Sequence, residues 1–89
     1  MSNNYKIVIT VHNCRGYRSE TFGLSSTGMD IAIRDVQYFI RGLHCNQDIE
    51  RISIDSISKV ANLKDLTPMD VTLARRIGAQ VQKDVRNGK

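Results

Sequence analysis

Apolar and polar residues alternate from the fifth residue onward. Tyr5, Ile7, Ile9 and Val11 fall on one face of an extended chain, with Lys6, Thr10 and His12 on the other. The β-branched middle of this run suits a pleated surface. Asn13-Cys14-Arg15-Gly16 supplies turn chemistry, since Asn and Gly tolerate positive φ. Tyr17 to Leu24 reads as the return strand, less cleanly, because Phe22 and Leu24 share a face with charged Arg18 and Glu20. Residues 5–24 are therefore expected to form a hairpin.

Residues 23–28 read as a Gly/Ser/Thr loop leading into a helix over about 28–41. Thr27 is the expected N-cap, and Asp30 three positions later the acid of a capping box. Met29, Ile33, Val36, Phe39, Ile40 and Leu43 recur at helical spacing, Asp30 and Arg34 form an i,i+4 pair, and Gly42 is the expected stop. Residues 49–61 fit two periods. Ile52-Ser53-Ile54-Asp55 alternates as a strand does, whereas Ile54, Ile57 and Ala61 also fit one side of a helix. Serine and isoleucine form helices weakly, which favours a strand near 50–55 that extends toward 60. If the segment were helical, the sheet would shrink to one hairpin and the domain would need a partner to be stable.

Thr67-Pro68-Met69-Asp70 carries the signature of a helix start, with Thr as N-cap, Pro at the first helical position and Asp at the third. Leu73 or Ala74, Ile77, Val81 and Val85 continue that helix to about residue 86, where Asn87-Gly88 ends it. The order β-β-α-β-α predicts an α+β fold in one compact domain over residues 1–89. A small antiparallel sheet, the hairpin plus a third strand, would carry both helices on one face.

Composition narrows the class without naming a function. The chain has 89 residues, 40% of them hydrophobic and 25% charged, which fits a globular domain and disfavours wholesale disorder or a coiled coil. Its longest apolar-leaning run, Ile7 to Val11, is far short of the ~18–20 residues that cross a bilayer. Met1-Ser2-Asn3-Asn4 opens no secretory signal, and two cysteines without CxxC spacing build no disulfide framework. The expectation is a soluble cytoplasmic protein with no membrane partner.

The net charge of +4 is unevenly placed. Residues 1–70 hold eight cations and eight acids, whereas residues 71–89 hold Arg75, Arg76, Lys83, Arg86 and Lys89 against Asp84 alone. Local field attracts a polyanion more than total charge does, so the terminal helix is the first candidate surface. Arg75, Arg76, Lys83 and Arg86 lie off its apolar stripe with Gln80 and Gln82 among them, a set suited to phosphates and base edges. The plainer reading is a solvated face with cations near the negative end of a helix dipole. Arg15 and Arg18 near the hairpin tip make a second candidate contact.

Other constellations point less far. His12, Cys14, His44 and Cys45 are chemically suited to zinc, and the expected hairpin and helix lengths would bring the two pairs to one end. Their H-x-C and H-C spacings nonetheless match no common zinc site. A Cys14–Cys45 bridge and unrelated turn and helix-end roles are the other readings, and no metal is assigned. Gly23-Leu24-Ser25-Ser26-Thr27-Gly28 lacks the lysine of a phosphate-binding loop, and Asp30 would repel an anion. No hydrolase, metalloprotease or dinucleotide-binding motif is present, and a small core leaves little room for a pocket of ~300 Å³. No enzyme activity and no cofactor are expected. The leading expectation is a non-catalytic binding protein, an accessory regulator of the phage type. It would dock on a larger macromolecular partner, a protein or protein–nucleic-acid complex, and modulate or inhibit it. The alternative is a nucleic-acid-binding module that uses the basic C-terminal helix directly. Uncovered sheet edges further predict a homodimer.

Overall fold

The computed structural model describes residues 2–87. The chain runs β1 (Asn3–Asn13), β2 (Gly16–Ser26), α1 (Met29–Leu43), β3 (Arg51–Val60), β4 (Thr67–Pro68) and α2 (Val71–Arg86). The α+β class expected from the sequence is observed, as a sheet of order β3-β1-β2-β4 carrying two helices. β1 pairs antiparallel with both long neighbours, and β4 pairs parallel with β2.

The alternation in β1 sets the layers. Tyr5, Ile7, Ile9 and Val11 are buried, and they join Phe22, Ala32, Val36, Leu43, Ile49, Leu73, Ile77 and Val81 in one core. Burying a side chain of this size contributes roughly 1.5–3 kcal/mol, so this apolar face fixes which side of the sheet the helices cover. Phe22 and Phe39 meet there with ring centroids 5.1 Å apart. The register places Lys6, Val8, Thr10 and His12 on the opposite face, beside Tyr17, Ser19 and Thr21 of β2 and Arg51, Ser53, Ser56 and Ser58 of β3. That face is mostly hydroxyl-bearing. The hairpin turns through Cys14 and Arg15 onto Gly16, whose φ of +146° excludes most side chains. Arg15 N–H donates to Asn13 Oδ1 at 2.7 Å, closing the turn.

Five local expectations are corrected. The sheet is mixed and has a fourth strand, because Thr67-Pro68 opposes Phe22-Gly23 instead of opening a helix. Proline tolerates a sheet edge, where it owes no ladder hydrogen bond, and Met69 N–H donates to Gly23 O at 3.1 Å. Asp70 is the true N-cap of α2, its Oδ1 accepting from Leu73 N–H at 2.9 Å. The presumed loop at 23–28 is mostly strand, since β2 continues to Ser26. α1 is capped by Gly28 without a side-chain bond, so Thr27 and Asp30 form no capping box. Gly42 lies inside α1, which continues to the buried Leu43 and is capped by His44. Gly88, half of the expected stop of α2, lies outside the described residues.

β3 resolves the ambiguity at 49–61 in favour of a strand. Val8 opposes Ser56 and Ile9 opposes Ile54, leaving Asp55 as the extra residue of a bulge. The bulge spaces Ile54 and Ile57 three apart on the helix-facing side, which imitates a helical period. Thr10 Oγ1 donates to Asp55 Oδ2 across the open face. Among the described residues no helix is long and apolar enough to cross a membrane.

Candidate docking surface at the basic end

Asp70 starts α2, and burial of Leu73, Ile77 and Val81 fixes its rotation. At 3.6 residues per turn, Arg75, Gln82 and Arg86 then project on the side opposite the sheet, and Arg76 and Lys83 run along one flank. All four cations are exposed.

β2 explains why that flank is charged on both sides. Arg18 and Glu20 occupy helix-facing positions, opposite Val11 and Ile9. Glu20 is approached by Arg18 Nε and by Arg76 Nη2, each at 3.7 Å. Arg18 Nη1 lies 3.4 Å from Asp84 Oδ2, and Gln80 Nε2 donates to Asp84 Oδ1 at 3.1 Å. Arg18 Nε and Nη1 are buried without a well-aligned hydrogen bond, so charge proximity alone compensates them. Two of the six candidate residues, Arg18 and Arg76, thus face acids of their own chain.

The other four divide by position. Arg15 lies on the exposed hairpin turn and lines, with Asn13, Gly16, Tyr17 and Asp84, a depression of about 210 Å³. That contact brings the hairpin tip to the C-terminal half of α2, where Lys83 and Arg86 flank Asp84 in the chain. Arg75 sits nearer the start of α2, beside the end of α1, in a groove it shares with Gly42, Asn46 and Gly78. Asn46 Nδ2 donates to Gly78 O at 3.2 Å there. Among the described residues, Arg15, Arg75, Lys83 and Arg86 enter no salt bridge.

One arrangement escaped the sequence reading. His12 opposes Tyr17 on β2 and Arg51 on β3, so these residues form a row across three strands of the open face. The His12 and Tyr17 ring centroids are 6.0 Å apart, and Arg51 Nη2 stands 3.3 Å from His12 Nε2. Tyr17 is 74% exposed. Alternation placed His12 on the polar side, but only the strand register brings Arg51 beside it. Cys14 and Cys45 are free and exposed, and among the described residues no three His, Cys, Asp or Glu side chains gather into a metal-binding group. His44 instead caps α1, and Cys45 Sγ donates to Arg41 O at 3.7 Å. Open grooves are larger than the small core implied: one of about 440 Å³ runs between α1 and β3, lined by Gln37, Ile40, Arg41, Ile52 and Ile54.

Comparisons with protein-family models, with curated proteins and with solved structures found no match to this chain.

Proposed function

We propose that the protein is a non-catalytic binding protein of the cytoplasm that docks on a larger macromolecular partner and modulates or inhibits it. The basic end, where the hairpin turn meets the last turns of α2, is its docking surface. The carrying observation is that, among the described residues, Arg15, Lys83 and Arg86 are exposed and enter no salt bridge, while neighbouring Arg18 and Arg76 are drawn onto Glu20 and Asp84. Unmatched cations steer association with an acidic surface and set its salt dependence. The partner in this reading is a protein, or a protein–nucleic-acid complex, with an acidic patch matching that end.

A second reading has its own support. The Tyr17–His12–Arg51 row beside Arg15 combines an exposed aromatic face with guanidinium groups, which suits stacking on unpaired bases. In that reading the protein binds nucleic acid directly. Capture from lysate with and without nuclease, using wild type, Lys83→Glu/Arg86→Glu and Arg34→Glu as a charge control on α1, separates the two. Docking on a protein predicts capture that survives nuclease, is lost in the double variant and persists in the control. Equal capture by wild type and the double variant overturns the assignment of the basic end.

A further inference from the structure

We propose that β3 is the interface of a two-fold symmetric homodimer, pairing antiparallel with β3 of a second copy. β3 is an outer strand of the sheet, ten residues long, and its far edge is unpaired among the described residues. Such an edge is a template for another strand unless charge, proline or a bulge guards it. Here proline is absent, and Arg51 and Lys59 sit near the two ends of the strand. The bulge residue Asp55 is engaged by Thr10 on the open face. The helix-facing side beside the edge is incompletely covered: Ile54 is 38% exposed and, with Ile40 and Ile52, lines the groove under α1.

What selects a second copy is the bulge. Relative to the helices, Ile52, Ile54, Ile57 and Lys59 point inward, and Ser53, Asp55, Ser56 and Ser58 point outward. The order from residue 52 to residue 59 is in, out, in, out, then out, in, out, in. It reads the same from either end. Strand pairing requires opposed residues to share a face, and a one-residue slip puts every side chain on the wrong side. With the symmetry axis between Asp55 and Ser56, all eight positions match. Ile54 meets Ile57 of the copy, Ser53 meets Ser58, Asp55 meets Ser56 and Ile52 meets Lys59. No like charges oppose one another. Moving the axis onto Asp55 sets Ile54 against Ser56 and destroys the match. The arrangement is isologous, as closed dimers require, and it continues the sheet across both protomers.

The test is mass by light scattering over a concentration series, together with site-directed cross-linking. Wild type is expected to approach twice the monomer mass as concentration rises. Ile54→Lys is expected to weaken the dimer at least ~tenfold while its circular dichroism melt stays close to wild type. In a Cys14→Ser/Cys45→Ser background, Ser53→Cys/Ser58→Cys is expected to form a disulfide between copies. Ser53→Cys alone is not, because its twin would lie five residues along the strand, roughly 17 Å away. Wild type that stays monomeric at every concentration overturns the proposal, including the case in which a strand from another protein covers this edge. So does a single Ser53→Cys variant that cross-links as fast as the pair, which keeps the test decisive even if Ile54→Lys fails to fold.

Discussion

Arg18 Nη1 of β2 stands 3.4 Å from Asp84 Oδ2 of α2, and this contact joins the hairpin tip to the last turns of the C-terminal helix. It also accounts for the poor alternation in β2. Glu20 and Arg18 occupy core-facing positions toward the turn end of the hairpin, where α2 meets them with Arg76, Gln80 and Asp84 instead of apolar side chains. A polar seam of this kind holds the basic end in shape while consuming two of its cations.

The seam makes an asymmetric stability prediction. Removing one partner of a buried charge costs more than replacing the charge with an apolar group of similar volume. Asp84→Ala leaves the buried Arg18 nitrogens with Glu20 alone and should destabilise the protein by about 1–2 kcal/mol. Arg18→Met should stay within about 1 kcal/mol of wild type, since Asp84 is partly exposed and keeps Gln80. Urea midpoints decide it, and a larger loss for Arg18→Met than for Asp84→Ala would refute this account of the seam.

Gly23 carries a second stability prediction. Its open-face position lies under the segment that joins β3 to β4, and an added Cβ would meet Leu63 Cδ2 at 2.9 Å and Leu66 Cβ at 3.0 Å. The Leu63 methyl can swing away, but Leu66 is held close to its backbone. Gly23→Ala should therefore cost roughly 1–3 kcal/mol by overpacking, and Thr21→Ala on the same face much less. Thermal melts compare the two directly.

The helix start that sequence reading misplaced gives a third. Asp70→Ala removes the side-chain oxygen that holds Leu73 N–H and should cost about 1 kcal/mol. Thr67→Ala leaves that cap intact and should change stability by less than ~0.5 kcal/mol. The reverse ranking in denaturant titrations would restore Thr67 as the cap.

These elements show what was legible and why. β1 was readable because one face is wholly buried and the other is not, so period two survives in the residues themselves. α2 was readable through Leu73, Ile77 and Val81. β4 was not, because two residues have no period and Thr-Pro obeys the rules for a helix start as well as those for an edge strand. β3 read as strand or helix because its bulge inserts a spacing of three between Ile54 and Ile57. At the candidate site, the basic bias of α2 was visible in the sequence. Glu20 lies two positions from Arg18 on the same strand face, but the Arg18–Asp84 and Arg76–Glu20 contacts join residues far apart in sequence on different elements, and no local pattern reports them.

The same distinction ranks the cations. If the basic end docks on an acidic surface, Lys83→Ala and Arg86→Ala should each weaken binding severalfold and flatten its salt dependence, mainly through slower association. Arg76→Ala should do less, because its charge already faces Glu20 at 3.7 Å. Association rates at two ionic strengths measure this, and an Arg76→Ala effect equal to that of Lys83→Ala would show that the internal pair does not matter.

Tyr17 separates protein docking from direct nucleic-acid binding. Its ring is largely exposed and, among the described residues, its one aromatic neighbour is His12, so Tyr17→Ala should leave stability within ~0.5 kcal/mol of wild type. Stacking one base on an aromatic side chain contributes about 1–3 kcal/mol, or roughly five- to 150-fold in affinity. If the open face binds unpaired nucleic acid, anisotropy titrations with short single-stranded DNA and RNA should show a loss of that size for Tyr17→Ala. A Lys83→Ala variant would instead lower the logarithmic salt slope by ~0.7, as one lost phosphate contact on a single strand. If wild type binds neither oligonucleotide at low salt, the direct reading fails.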